Sequence, residues 1–426
     1  MATLTTHRQS VPAKNGLVWL AAWPVMAVFV LSNAATPLYV VWQRELGFSA
    51  GTLTAIFASY IAGLLGALLV AGVVSDRIGR KPVLLPAIVL AMVACVLFAT
   101  ASSVAVLAVA RLLTGIAVGA AVSAGMAAVT DVGGSGRKRT AALAASSAMV
   151  LGAGLGPLLA GVLSETVPGP TVTIFVVEIA LLASAFVVVA RLELPKGAGG
   201  RGPWLRIPAV APGGRTAVLL GIAVFAPGIT ATSFVLSLGP SLLAHLLGAT
   251  NRVIAGGLAF VMFLGATGIQ FAARRWPVRT ILLGGAVATT ASMLTLILSL
   301  RLSSLGLFAA AAVLAGIGQG LGQFGGLTAI STSVPADRLA EANAAQNVGG
   351  YLPAAALPLT AGFLSDAIGL TGGATVFGMV VGAAAVGGGA IVAFRSGPDR
   401  LGSSDGRGSV RPRTRAPYRW RAIIRG

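Results

Sequence analysis

Charge is scarce in this chain: only 10% of its 426 residues are Asp, Glu, Lys or Arg, against about 25% in an ordinary soluble domain. So few charges cannot cover a water-facing surface, which excludes a soluble globular protein. Cysteine is nearly missing as well. Cys95 stands alone inside an apolar run, so there is neither a disulfide framework nor a thiolate metal site. His7 and His245 are too few and too far apart for a zinc constellation, and no metal or other cofactor is expected. The chain has no G-x-x-x-x-G-K-S/T loop and no H-E-x-x-H. ATP is thereby excluded as a direct driver, hydrolase chemistry has no support, and an enzyme is not expected.

What the chain has in abundance is apolar sequence: 56% hydrophobic residues and a mean hydropathy of +0.91. The apolar residues fall in runs of roughly 20 to 26, the length that crosses about 30 Å of hydrocarbon at 1.5 Å per residue. Twelve runs can be drawn, at 17–41, 52–74, 82–101, 104–129, 141–163, 171–190, 216–241, 252–273, 279–300, 304–329, 342–364 and 373–394. The eleventh opens on the polar stretch Ala342-Asn343-Ala344-Ala345-Gln346-Asn347 and is the weakest. In lipid each backbone polar group needs an internal partner, so each run is expected to be a helix. The period-2 alternation of an outer-membrane barrel is absent. The first run is too long for a signal-peptide core of about 7 to 15 residues and reads as a retained span.

The basic residues fix an orientation. With the N-terminus inside, 26 of the 30 Lys and Arg fall on the cytoplasmic side, and only Arg44, Arg252 and Arg301 fall outside, with Arg111 inside a span. Both termini are thus expected in the cytoplasm. The net charge of +19 belongs to loops and membrane surface rather than to nucleic-acid binding. The Gly-, Pro- and Arg-rich break at 191–215 divides the spans six and six. The expected organisation is a cytoplasmic N-terminus at 1–16, a six-helix bundle at 17–190, a cytoplasmic linker at 191–215, a second six-helix bundle at 216–394, and a basic, disordered cytoplasmic tail at 395–426. The halves look duplicated. Pro157-Leu158-Leu159-Ala160-Gly161-Val162-Leu163-Ser164-Glu165 matches Pro358-Leu359-Thr360-Ala361-Gly362-Phe363-Leu364-Ser365-Asp366 at six of nine positions, 201 residues on, and at that offset Arg137 falls on Arg338. Repeats of this kind are how many transporters are built.

The loop between spans 2 and 3, Gly72-Val73-Val74-Ser75-Asp76-Arg77-Ile78-Gly79-Arg80-Lys81, resembles the signature loop of the major facilitator superfamily, G-x-x-x-D-R-x-G-R-K, at every defining position. The glycines would allow a tight turn and close helix approach. The resemblance implies a conformational latch: Asp76 against the positive end of the eleventh helix, and a motif arginine paired with an acid ending span 4, here Asp131. The corresponding loop of the second half, Gln270 to Arg279, keeps the bases and lacks the acid and glycines. Read without the resemblance, the loop is a basic anchor with incidental glycines.

Three further features carry the argument. Arg111, followed by Gly115 and Gly119 in span 4, matches a second family pattern, and a guanidinium in hydrocarbon costs at least ~2.5 kcal/mol, so it should face a partner or a wet cavity. Glu178, at a similar depth in span 6, is either a carrier of the coupling proton or a partner that neutralises Arg111. In span 5, Gly152, Gly156, Pro157 and Gly161 resemble the antiporter motif g-x-x-x-G-P-x-x-G-G, with Ala160 replacing one glycine; ordinary close packing would also use small residues so spaced. The fold implied by the resemblance lines a central cavity with spans 1, 4, 7 and 10. Asn33, Thr36, Gln319 and Gln323 are then candidate ligand contacts, although such groups equally serve to glue helices. The G-x-G-x-x-G at Gly320–Gly325 lies in an apolar helix and is not read as dinucleotide binding.

The expectation is an all-α integral membrane protein of twelve transmembrane helices in two six-helix bundles, the major facilitator fold. It would be monomeric, sit in the cytoplasmic membrane, and have the lipid bilayer, protons and a small-molecule substrate as partners. Proton-coupled efflux of amphipathic, drug-like compounds is the first reading. Proton-coupled uptake of a sugar or other metabolite is the alternative, and a ligand sensor that moves nothing is the third.

Overall fold

The computed structural model describes residues 15–134, 137–195, 214–246, 248, 251–335 and 339–395. The expectations for residues 1–14, for 196–213 of the linker, for Arg338 and for the tail from 396 onward lie outside the described residues.

Among the described residues, twelve helices are long and apolar enough to cross a membrane: α1 (Gly16–Leu46), α2 (Ala50–Ile78), α3 (Lys81–Ala99), α4 (Val104–Gly133), α5 (Thr140–Thr166), α6 (Thr173–Arg191), α7 (Arg215–His245), α8 (Arg252–Ala273), α9 (Val278–Leu302), α10 (Leu305–Ser333), α11 (Glu341–Ile368) and α12 (Leu370–Arg395). No strand occurs among the described residues. α11 is the least apolar of the twelve, as its polar opening suggested. The first span differs from expectation. After a 3-10 turn at Thr36–Leu38 it resumes as helix and ends only at Leu46. Pro37 supplies no N–H to an α ladder there, and Gly47, at a φ of 65°, closes the segment. α4 carries a π-turn at Ala121–Gly125, while α5 runs unbroken through Pro157.

One end of the bundle bears the Arg77–Lys81 and Arg274–Arg279 loops and is called the basic end below; the opposite end is the far end. Four helices that start at the far end carry polar caps. Ser49, Ser103, Asn251 and Ser304 accept hydrogen bonds from the N–H groups of Thr52, Val106, Val253 and Leu307, groups with no intrahelical acceptor. At the basic end, Lys81 donates to the carbonyl of Ala190 at the end of α6 (2.8 Å), and Arg279 donates to Ala393 at the end of α12 (3.2 Å). The two halves thus place a cation on the negative end of their last helix in the same way.

α1 and α7 are the most enclosed helices and α8 the least. Between lipid-immersed helices there is no hydrophobic driving force, so contact depends on backbones approaching through small residues. The halves meet along two seams, α2 against α11 and α5 against α8. Shifted by 201 residues, α2 becomes α8 and α5 becomes α11, so the two seams exchange. Contacts across the seams run inward from the far end. They include Glu165 with Arg252 and Asp366 with Ala50 at the far end. Inward from there, Gly154 packs against Phe260, and Phe57 and Ile61 cluster with Ile229, Phe225 and Tyr351.

Candidate functional site

At the basic end, Gly79 adopts a φ of 101°, a conformation closed to residues with a Cβ, and this turn delivers Arg80 to two acids. Its Nη1 donates to Asp76 (2.6 Å) and to the Ser75 hydroxyl (2.9 Å), and its Nε donates to Asp131 (3.1 Å). Burial opposes the charge of Arg80, but the hydrogen bonds and charges of Asp76 and Asp131 outweigh it and raise its pKa above the ordinary value. The acid that ends α4 is therefore joined to the loop through Arg80. Asp76 is half exposed and held within its own half. Gly72 does not sit at a close approach: the nearest atom to a methyl built there is 3.9 Å away.

Deep in the first half, Arg111 is fully buried. Its Nε donates to the Tyr39 hydroxyl and its Nη1 to the Ser32 carbonyl (2.7 Å). The rings of Tyr39, Phe57, Tyr60 and Phe98 stand 5.1 to 5.9 Å from its guanidinium carbon, within the reach of cation–π attraction. Helices α1, α2 and α3 thus build an aromatic box around a cation carried by α4. Nη2 has no hydrogen-bond partner among the described residues.

Glu178 is also fully buried, and neither carboxylate oxygen has a hydrogen-bond partner among the described residues. No ion pair joins it to Arg111 there; Arg111 turns instead to a phenol, a carbonyl and aromatic faces. A stack of rings connects the two regions. Phe98 lies 5.7 Å from the Arg111 guanidinium and 5.0 Å from Phe175, one turn before Glu178, and Trp42 stacks on both rings. Leaving a charge buried without a partner costs several kcal/mol.

The glycines of α5 divide between two neighbours. Gly152 and Gly156, four apart, face α1: a methyl at Gly152 would lie 2.6 Å from the Met26 carbonyl, and one at Gly156 would collide with the Val30 carbonyl. Gly161 and the carbonyl of Pro157 face α8 at Arg252 and Gly256. Close packing is therefore what each of these positions does, and it fixes α5 between the helix of its own half and the seam. The pattern at Gly320–Gly325 behaves likewise, with Gly320, Gly322 and Gly325 against Ala266, Phe225 and Leu282.

The four cavity candidates fare differently. Asn33 is buried, and its amide donates to Ser32 Oγ (3.1 Å) and to the Ala153 carbonyl of α5 (3.4 Å), so it joins two helices. The Thr36 hydroxyl and the Gln319 Oε1 lack partners among the described residues. Thr36 faces a small apolar pocket with Val235, Gly239 and Leu258 of α7 and α8. Gln323 is half-buried. Sequence reasoning passed over Gln346, fully buried against Gly221 and Gly326 with both amide atoms unpartnered among the described residues. Its signal was present, since it sits in the polar opening that weakened the eleventh run. Glu165 and Asp366 were noticed only as part of a repeat.

The sequence profile of the Major Facilitator Superfamily matches residues 18–274, more than half of the chain. A stretch of 97 residues, 22% of this chain, is 35% identical to the Multidrug resistance protein MdtL of Escherichia coli strain UTI89, and the same match holds for MdtL of strain CFT073. It spans only a quarter (25%) of the length of those relatives. Among solved structures, the nucleoside transporter NupG superposes with a TM-score of 0.72 at 12% identity, covering 88% of this chain and 99% of that one. A POT family transporter in complex with a thioalcohol-conjugated peptide gives 0.71 at 13%, covering 90% and 96%. At these identities the likeness is one of fold.

Proposed function

The chain belongs to the major facilitator superfamily, and from that membership we propose that it exports small amphipathic compounds across the cytoplasmic membrane in exchange for protons. It is a multi-pass membrane transporter, not an enzyme. In this reading the basic end and both termini face the cytoplasm, the protein works as a monomer, and the conformer described, joined along the far half of its seams, is the one open inward. Residues 17–190 and 216–394 are the two bundles that rock about the midplane, linked by 191–215. Gly72, Asp76, Arg77, Gly79, Arg80, Lys81 and Asp131 form the latch at the basic end.

The observation that carries the coupling is Glu178, a buried acid whose two oxygens hold no fixed hydrogen bond among the described residues. Such a group takes and releases a proton without first breaking a structural contact, and ionisable residues at this depth are functional by default. Arg111, boxed by rings of which Phe98 stacks on Phe175, senses that change through the aromatic stack. The unpartnered oxygens of Thr36 and Gln319 offer polar contacts to a substrate. Efflux rather than uptake is supported by the antiporter-like motif of α5 and by the partial likeness to a multidrug resistance protein. One proton falling through ~100 mV supplies about 2.3 kcal/mol, which at 1.36 kcal/mol per factor of ten sustains a gradient of a neutral compound of roughly fifty-fold.

Energised everted vesicles decide the matter. Addition of an amphipathic compound from a panel should release protons from the acidified lumen in vesicles carrying the protein and not in vesicles lacking it. Movement of proton and compound in the same direction would establish uptake, and binding without any flux would leave a sensor.

A further inference from the structure

The two seams are closed at the far end by one device built twice. At the end of α5, Glu165 Oε1 accepts the backbone N–H of Arg252, the first residue of α8 (2.9 Å), and the Nε of the same arginine (2.8 Å). At the end of α11, Asp366 accepts the N–H groups of Ala50 (2.9 Å, Oδ1) and Gly51 (3.0 Å, Oδ2), the first residues of α2. Asp366 lies 201 positions after Glu165, and Arg252 lies 201 positions after Gly51. Each carboxylate therefore caps a helix of the opposite half, and the two caps exchange under the repeat that relates the halves.

The division of donors shows that these contacts complete the helix starts and do not duplicate their own caps. Ser49 already takes the N–H of Thr52, and Asn251 that of Val253; the acids take the N–H groups that remain. Those groups have no intrahelical acceptor, and the partial positive charge of the helix start favours an anion there. The backbones come close enough because Gly161 and Gly362 stand four residues before each acid. A methyl would meet the Arg252 carbonyl at 2.5 Å in one seam and the Ala50 carbonyl at 2.8 Å in the other. The acids of the basic end, Asp76 and Asp131, are instead both held by Arg80 within the first half.

We propose that Glu165 and Asp366 are paired gating residues of the transport cycle, which hold the far end shut and must both release their helix starts before that end opens. This rests on the alternating-access reading above. Spin labels at Val167→Cys and Leu302→Cys, exposed residues at the far ends of α5 and α9, report the opening as a distance between the halves, with Cys95→Ala removing the remaining thiol. The measurement is made on the purified full chain in lipid nanodiscs without substrate. The ratio of open to closed populations should rise about fivefold in Glu165→Gln and in Asp366→Asn, the change that about 1 kcal/mol produces. In the double variant it should rise about twenty-five-fold, because the caps occupy separate seams and their effects multiply. An unchanged ratio in the double variant, or a double variant no more open than either single one, overturns the proposal. Should the double variant not give a monodisperse particle, the single variants decide, and a rise in only one of them refutes the pairing. A wild-type protein with a single far-end distance under all conditions would count against alternating access itself; two distances whose ratio ignores both substitutions count against the gate alone.

Discussion

The two halves share a helix plan and differ in what they bury. The first half encloses an arginine in a box of rings, an acid with no partner, and a loop whose arginine ties Asp76 to Asp131. The second half buries amides and hydroxyls, among them Gln346, Thr289 and Ser292. Packing differs as well. α5 lies on α1 through Gly152 and Gly156, whose counterparts 201 residues on are Pro353 and Leu357. α11 reaches α7 instead through Gly349 and Gly350, against Ile222 and Phe225. Among the described residues the two fully buried charges, Arg111 and Glu178, both lie in the first half, and a charge at such depth is costly and functional by default.

Three substitutions, the first paired with a control in the second half, test this division. The largest effect is expected from Gly156→Val. Its side chain would be driven into the Val30 backbone, and a backbone cannot yield as a side-chain tip does. Folded protein should fall to a small fraction of wild type in size-exclusion profiles of detergent extracts, whereas Leu357→Ala at the corresponding site of the second half should retain most of it. Next is Glu178→Gln, which keeps shape and removes the titrating group. Proton release on substrate addition should vanish while counterflow of preloaded substrate persists; surviving proton release would move the carrier elsewhere and make the acid structural. The smallest is Asp76→Asn. A partly exposed ion pair contributes about 0–1 kcal/mol, so the melting temperature should hardly move. Initial transport should nevertheless fall about tenfold if the loop acts as a latch, a factor equal to 1.36 kcal/mol. Near-normal flux would reduce the loop to an anchor and erase one difference between the halves.

Much of the candidate site is legible in the amino-acid order. Arg111 and Glu178 announce themselves as charges in apolar runs, and the Gly79–Arg80 turn follows from its motif. Their relationship was not legible. Similar depth left open whether Glu178 neutralises Arg111 or carries a proton, and in the structure Arg111 turns to Tyr39 and Ser32 on α1. Depth along a helix follows from counting residues, whereas direction around the helix does not when every face is apolar. The same ambiguity hid Asn33, a plausible cavity lining that instead bonds to α5, and Gln346, whose face meets Gly221 and Gly326. Gly72 illustrates the converse, since a motif position reserved for glycine meets no close neighbour in this conformer.

The amino-acid order alone determined that the chain crosses a membrane as twelve helices, with its basic loops gathered at one end. Each helix must satisfy its own backbone in lipid, which is a local demand that a linear run of residues can declare. Only the tertiary structure decided which groups meet: Arg111 with Tyr39, 72 residues apart, Glu165 with Arg252, 87 apart, and Asp366 with Ala50, 316 apart. Those encounters depend on how each helix is rotated and which seam is closed. In lipid the outward face and the packed face are both apolar, so no hydrophobic period records that rotation.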